Sequence, residues 1–176
     1  VDLMRAYDDL EVCGEASDIE EALNAMKSVQ PDIAIVDLKL KEGSGLDLIR
    51  QMKIQFPQVR VLVSSMYEES LYAERAIRAG ASGYVSKNEP PEQLIEGVRK
   101  ILSGRIFLSE EITNEMLLRI PARQEFIPPD PMDTLSDREL QVFELIGQGY
   151  SIKEIAARLN LSPKTIESYR DGLKTK

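Results

Sequence analysis

The feature that most constrains the fold of this chain is the alternation of short apolar runs with helical patterns over its first hundred residues. Apolar runs occupy residues 10–16, 33–36, 59–64 and 83–85, and each is followed by a stretch with helical periodicity. Repeated strand–helix units predict a parallel sheet covered by helices on both faces. The run at 33–36 (IAIV) is apolar at every position, which is typical of a buried central strand. We therefore predict a doubly wound α/β domain over residues 1–108.

The pattern weakens after residue 108. Residues 110–119 are compatible with a short helix, and residues 120–133 (IPARQEFIPPDPMD) contain four prolines and no periodicity. Fourteen residues without periodicity are long for a loop within a compact domain. We interpret residues 109–134 as a linker, semi-rigid because of its prolines, with a surface loop of a single domain as the alternative.

Helical periodicity returns over residues 135–176. Ser136 and Glu139 have the spacing of a capping box, which predicts the start of a helix. A second helix is predicted over residues 152–159, and a third begins at Ser162 and Pro163. Short helices joined by tight turns predict an all-α helix-turn-helix domain, which can place one helix in the major groove of DNA. The apolar stripe of the first helix is interpreted as core packing (Leu140, Phe143, Leu145 and Ile146).

Composition excludes several classes of function. The chain has no histidine and one cysteine, so catalysis by histidine, metal binding by histidine and zinc fingers built on cysteine are excluded within this sequence. No apolar run is long enough to span a membrane, and the single cysteine is compatible with a reducing compartment, so we predict a cytoplasmic protein without a membrane partner.

The net charge of −8 is unevenly distributed. Residues 1–108 carry 13 basic and 18 acidic side chains, residues 109–134 carry 2 and 6, and residues 135–176 carry 7 and 6. The acidic first domain and the slightly basic last domain therefore present different surfaces, and we expect them to have different partners.

Three polar residues stand at the ends of successive predicted strands. Asp37 follows the run IAIV, Ser65 closes the next strand, and Lys87 follows the one after. Open α/β sheets bind ligands at the carboxyl ends of their strands. A carboxylate can accept a phosphoryl group, and a hydroxyl and an ammonium can then bind its oxygens. Taken alone, Asp37 is equally compatible with a solvated carboxylate at a strand end.

With these residues in view, the sequence resembles a known family in both halves. VDLKLKEGSGLDLI at 36–49 and AGASGYVSK at 79–87 resemble bacterial receiver domains of the flavodoxin-like fold. LSDRELQVFELIGQGYSIKEIAARLNLSPKTIESYR at 135–170 resembles the LuxR-type helix-turn-helix domain. By this pairing the chain is identified as a member of the NarL/FixJ class of two-component response regulators.

The resemblance implies a role for each residue of the strand-end group. Asp37 would be the phosphoacceptor, Ser65 the switch hydroxyl, Tyr84 the aromatic residue that moves with it, and Lys87 the lysine that pairs with the phosphate. Mg²⁺ would be the cofactor, bound by Asp37 and by the backbone carbonyl of Lys39. A sensor histidine kinase and double-stranded DNA would be the partners, and the phosphorylated protein is expected to form a homodimer.

The sequence departs from the family at both ends. The family has a first strand that carries the acidic pair for Mg²⁺ and lies within a sheet of order 2-1-3-4-5. Neither that strand nor the acidic pair is identifiable here, so we expect residues to be missing at the start. We also expect the chain to continue beyond Lys176 into a fourth helix that supports dimerisation.

The third helix of the last domain carries the residues that we expect to contact DNA. Lysine and arginine bind phosphates, whereas serine and glutamate can contact base edges. The candidates are Lys164, Thr165, Glu167, Ser168, Tyr169, Arg170 and Lys174. For Glu167, a local ion pair with Arg170 or Lys174 is the alternative.

These observations favour a DNA-binding transcription regulator that is controlled by phosphorylation and is not an enzyme. One alternative is an aspartyl-phosphate phosphohydrolase, which would be favoured by a second aspartate near Asp37. Lys39 occupies the position two residues after Asp37 instead. The other alternative is an interaction protein whose receiver domain is never phosphorylated.

Overall fold

The structure is a computed structural model that describes residues 2–41, 43–122 and 131–175. The chain divides into two compact units, Val1–Ile120 and Pro121–Lys176. No helix in these described ranges is long and apolar enough to cross a membrane.

The described part of the first unit contains a three-stranded parallel sheet of order β1-β2-β3. The strands are β1 (Ile33–Val36), β2 (Arg60–Ser65) and β3 (Gly83–Ser86). In the register of the sheet, Val63 of β2 lies opposite Val36 of β1 and Tyr84 of β3. The three strands thus end at the same edge, and the predicted α/β class is confirmed.

Six helices accompany this sheet in the described residues. They are α1 (Asp2–Arg5), α2 (Ile19–Val29), α3 (Gly45–Gln55), α4 (Glu69–Ala79), α5 (Pro91–Leu102) and α6 (Glu110–Ala122). The helix α5 packs on β2 and β3, where Leu62, Val85, Val98, Ile101 and Phe107 form a buried cluster. Local signals fix several ends: Asp18 caps α2, and Gly80 ends α4 in the left-handed conformation.

The strand predicted over residues 10–16 does not form, and this prediction was wrong. These residues have no strand pairing. In the predicted order another strand separates this segment from β1, and the described residues contain none there, so the segment has no ladder partner. Ile35 of β1 is 38% exposed for the same reason, contrary to the predicted burial of IAIV.

Three α-helices lie wholly within the described residues of the second unit: α7 (Asp137–Gly147), α8 (Ile152–Leu159) and α9 (Pro163–Leu173). They enclose a buried cluster of Val142, Leu145, Ile155, Ala156 and Ile166. Capping boxes open both α7 and α8, and Asn160 ends α8 with a φ of 53°. The turn from α8 to α9 confirms the predicted helix-turn-helix arrangement.

Two predictions near this unit need correction. Phe143 and Ile146 of α7 are 46% and 37% exposed, so only Leu140 and Leu145 of the predicted stripe are buried. The helix α6 runs three residues beyond the predicted end at residue 119, and a 3-10 helix occupies Pro131–Thr134 within the predicted linker. The rest of that linker, residues 123–130, lies outside the described residues.

Candidate functional sites

The ends of β1 and β3 bring Asp37 and Lys87 together. The Lys87 Nζ atom lies 2.5 Å from Asp37 Oδ2, although 50 positions separate the two residues. The second carboxylate oxygen, Oδ1, accepts a hydrogen bond from the Lys39 backbone N–H at 3.0 Å. The side chains of Asp37 and Lys87 are 31% and 41% exposed, so a soluble reactant can reach the carboxylate.

Ser65 ends β2, the strand between β1 and β3, and is buried. Its carbonyl accepts a hydrogen bond from the Lys87 N–H at 2.8 Å, which fixes the backbone that carries the lysine. Its Oγ atom accepts a hydrogen bond from the Tyr67 N–H at 3.3 Å. The hydroxyl is therefore joined to the loop that leads from β2 into α4.

Tyr84 lies in β3 and is buried, with 1% of its surface exposed. Its hydroxyl donates a hydrogen bond to the Tyr67 carbonyl at 2.8 Å. The Tyr67 ring stacks on Tyr72 of α4, with 4.9 Å between ring centroids. Sequence analysis missed Tyr67, because it binds through backbone atoms that no side-chain pattern reveals.

The loop after Asp37 is closed by a very near approach of two backbone segments. The Gly45 N–H donates a hydrogen bond to the Leu38 carbonyl at 3.0 Å, and Lys39 pairs with Ser44 in an isolated antiparallel bridge. A Cβ atom at Gly45 would lie 2.2 Å from the Asp37 carbonyl oxygen. The backbone approach therefore leaves no room for a side chain at Gly45.

The donors at this edge suit Mg²⁺ in kind but supply only part of a coordination shell. The described residues contain no group of three or more acidic, histidine or cysteine side chains that could hold a metal. Mg²⁺ in proteins keeps several waters and is bound through one or two carboxylates. The carboxylate of Asp37 and a backbone carbonyl at Lys39 are compatible with that pattern.

The helix α9 separates the candidate DNA-contacting residues into two groups. Lys164, Glu167, Ser168 and Lys174 are exposed, whereas Thr165, Tyr169 and Arg170 are half-buried. The Thr165 Oγ1 atom lies 2.7 Å from the Ser162 hydroxyl at the start of the helix. Tyr169 packs against the buried cluster of the second unit. The structure thus brings four of the seven candidates fully to the surface.

An acidic residue outside the candidate set makes the ion pairs at the end of α9. Asp171 Oδ1 accepts a hydrogen bond from Lys174 Nζ at 2.9 Å and lies 3.8 Å from Arg170 Nε. The hydrogen bond from Lys174 lowers the pKa of Asp171 below that of an ordinary aspartate. The local pair considered for Glu167 is therefore made by Asp171 instead.

Comparison with known families gives two matches that together span most of the chain. Residues 2–99 match the response regulator receiver domain, and residues 133–176 match the luxR family of bacterial regulatory proteins.

Individual relatives and solved structures are similar to this chain over about two thirds or more of its length. The oxygen regulatory protein NreC of Staphylococcus carnosus is 34% identical, and that of Staphylococcus epidermidis is 33% identical; each alignment covers 99% of this chain and 82% of the relative. A LuxR-family response regulator from Aurantimonas is similar over 66% of this chain and 85% of that one, with a TM-score of 0.59 and 32% identity. A structure of RcsB from Salmonella typhimurium is similar over 99% of this chain and 82% of that one, with a TM-score of 0.58 and 26% identity.

Proposed function

This chain belongs to the NarL/FixJ class of response regulators, and we propose that Asp37 is the residue whose phosphorylation controls DNA binding through α9. The protein is a DNA-binding transcription regulator under phosphorylation control. The observation that carries the assignment of Asp37 is its contact with Lys87 at 2.5 Å across the ends of two strands. An accessible carboxylate that is held by an ammonium can accept a phosphoryl group and keep the charge paired afterwards.

The transfer step requires little of the protein beyond positioning. An Asp37 oxygen attacks the phosphorus of a phosphohistidine on a sensor kinase, a P–O bond forms, and the P–N bond to the donor breaks. The imidazole leaves and retains or takes up a proton. Lys87 then pairs with the new phosphate, and the Ser65 hydroxyl, whose oxygen accepts from the Tyr67 N–H, moves and donates a hydrogen bond to a phosphate oxygen. Bound Mg²⁺, held by Asp37 and the Lys39 carbonyl, would neutralise the charge on the phosphoryl oxygens.

In this proposal, Tyr84 responds to a change at Ser65, because both residues are bonded to the same loop. Its hydroxyl is bonded to the Tyr67 carbonyl, in the same loop whose N–H is bonded to Ser65. Movement of the Ser65 hydroxyl towards phosphate therefore changes the loop that holds Tyr84.

At the DNA-binding end, we assign phosphate contacts to Lys164, Arg170 and Lys174 and base-edge contacts to Glu167 and Ser168. Thr165 and Tyr169 fix the start of α9 and its packing on the core. The receiver domain is assigned to residues 1–108, the linker to 109–134 and the DNA-binding domain to 135–176. We further propose that the protein is cytoplasmic, that a sensor histidine kinase donates the phosphoryl group, and that the phosphorylated protein forms a homodimer.

The protein is assigned as a phosphoacceptor rather than an enzyme. Incubation with a small phosphodonor and Mg²⁺, followed by intact mass measurement, tests this directly. A long-lived adduct of one phosphoryl group that Asp37→Asn abolishes supports the proposal, because an amide is a far weaker nucleophile. Continuous consumption of the donor would instead indicate a phosphohydrolase, and an unmodified wild-type chain would indicate an interaction module.

A further inference from the structure

The helix α9 and its C-terminal cap carry three basic side chains and two carboxylates, a small excess of positive charge for a helix that meets phosphates. Residues spaced three or four apart share one face of a helix. On α9 and its C-terminal cap, this face carries Lys164, Glu167, Ser168, Asp171 and Lys174. Two ammonium groups of this face are thus matched by two carboxylates, and Arg170, whose side chain is 42% exposed, adds one further positive charge. Basic side chains that pair with DNA phosphates release counterions, and this release provides most of the non-specific affinity. A carboxylate on the same face repels the phosphates and so opposes that pairing.

Asp171 is the acidic residue of this face that is engaged with basic side chains. It is bonded to Lys174 at 2.9 Å and lies 3.8 Å from Arg170. The hydrogen bond from Lys174 lowers its pKa, so the carboxylate is ionised at neutral pH. A phosphate that approaches Lys174 must therefore compete with a carboxylate already in place.

We propose that Asp171 is a specificity-determining residue that makes binding to random DNA weak. The inference rests on the proposed function, in which α9 enters the major groove. In the fixed register of a specific complex, Asp171 can face a cytosine amine, which carboxylates accept from. In other registers the same carboxylate meets phosphates, and its repulsion is not offset. A group that weakens the wrong complexes more than the right one increases specificity without adding affinity.

The test compares wild-type protein with Asp171→Asn, which keeps the side-chain size and removes the charge. The full chain, phosphorylated, is titrated at several salt concentrations against a random duplex and against a duplex selected from a random pool by wild-type protein. On the random duplex, we expect about threefold tighter binding and a salt slope steeper by about 1. The gain on the selected duplex is expected to be smaller, so that the ratio of the two affinities falls.

Three further variants identify the route of the effect. Glu92→Gln on α5 changes the net charge by the same amount at an exposed residue of the first unit, and we expect it to leave the ratio unchanged. Asp171→Glu keeps the charge and should retain weak binding to random DNA. In a Lys174→Ala background, Asp171→Asn should have a smaller effect, because the competing pair is already absent.

Two outcomes separate this inference from the proposed function. If Lys164→Ala leaves binding to all duplexes unchanged, α9 does not contact DNA, and both fail together. If Lys164→Ala weakens binding to every duplex while Asp171→Asn leaves the affinity ratio and the salt slope as in wild type, only the role of Asp171 is overturned. Thermal unfolding of each variant verifies that the domain is folded.

Discussion

Among single residues, Gly45 lies against the backbone of the proposed phosphoacceptor, Asp37, and the space at this position limits which residue can stand there. In Gly45→Ala, the added Cβ atom would lie 2.2 Å from the Asp37 carbonyl oxygen and 2.7 Å from Leu38 Cα. Both neighbours are backbone atoms that cannot move aside cheaply. We expect a loss of at least about 1–3 kcal/mol in the free energy of unfolding, measured by urea titration, together with slower phosphorylation.

Gly14→Ala is the matched control for this variant, because its Cβ atom would meet only Val29 Cγ2, at 4.0 Å. An unfolding midpoint for Gly45→Ala equal to that of Gly14→Ala would contradict the close approach.

Lys87 illustrates how a residue can matter for switching and little for stability. Its pair with Asp37 is partly exposed, and exposed ion pairs contribute about 0–1 kcal/mol. We therefore expect Lys87→Ala to unfold close to the wild-type midpoint while the gain in DNA affinity on phosphorylation shrinks. Titration of operator DNA with and without phosphodonor measures this gain; a full wild-type gain would contradict the role of Lys87.

Among the elements, the helices of the second unit depend on their N-terminal caps. The Ser136 hydroxyl accepts a hydrogen bond from the Glu139 N–H at 3.3 Å, and the Glu139 carboxylate accepts one from the Ser136 N–H at 2.8 Å. Ser136→Ala removes the side-chain acceptor and should cost about 1 kcal/mol of stability, measured by thermal unfolding. Ser136→Asp restores an acceptor and should recover most of that loss.

The second capping box gives a pH dependence with a defined sign. Hydrogen bonds from the side chain and backbone of Ser151 lower the pKa of Glu154 in the folded protein. A carboxyl group whose pKa falls on folding stabilises the protein above its unfolded pKa, and this contribution is lost as the pH falls through the folded pKa. The stability difference between wild type and Ser151→Ala should therefore shrink on acidification. A difference that is constant from neutral to strongly acidic pH would contradict the capping box.

Elements set by local signals were predictable from the sequence, and those set by distant partners were not. Ser136 and Ser162 mark helix starts by their own side chains, and the predictions there were confirmed. The strand expected at residues 10–16 failed, because a strand requires a neighbour that its own sequence does not specify. The prediction that Phe143 is buried failed for a similar reason, because periodicity identifies an apolar face of a helix but not the element that covers it.

The strand-end site and α9 likewise contain some features that the sequence predicts and others that it does not. The meeting of Asp37 and Lys87 follows from parallel strands whose ends share an edge, and it was expected. The part played by the Tyr67 backbone and the pairing of Asp171 with Lys174 depend on loop and side-chain geometry that the sequence leaves open.

For the molecule as a whole, phosphorylation adds negative charge to a chain whose net charge is already −8. A gain in affinity for DNA therefore cannot come from overall electrostatics, and we expect it to come from assembly. We expect phosphodonor and Mg²⁺ to convert monomer to dimer in sedimentation, and the salt slope on DNA to about double as two copies of α9 bind. Asp37→Asn should remain a monomer with an unchanged slope. Wild-type protein that binds DNA more tightly without any change in sedimentation would contradict this coupling.

The distance in sequence between Asp37 and Lys87 also has a consequence for protein synthesis. When Asp37 is added to the growing chain, its lysine partner is still 50 residues from being made. The pair forms only after β2 has aligned with β1 and β3 with β2. We therefore expect a phosphate on Asp37 to gain its lysine partner only in a chain whose three strands are aligned, so that an unfinished copy would not hold the signal.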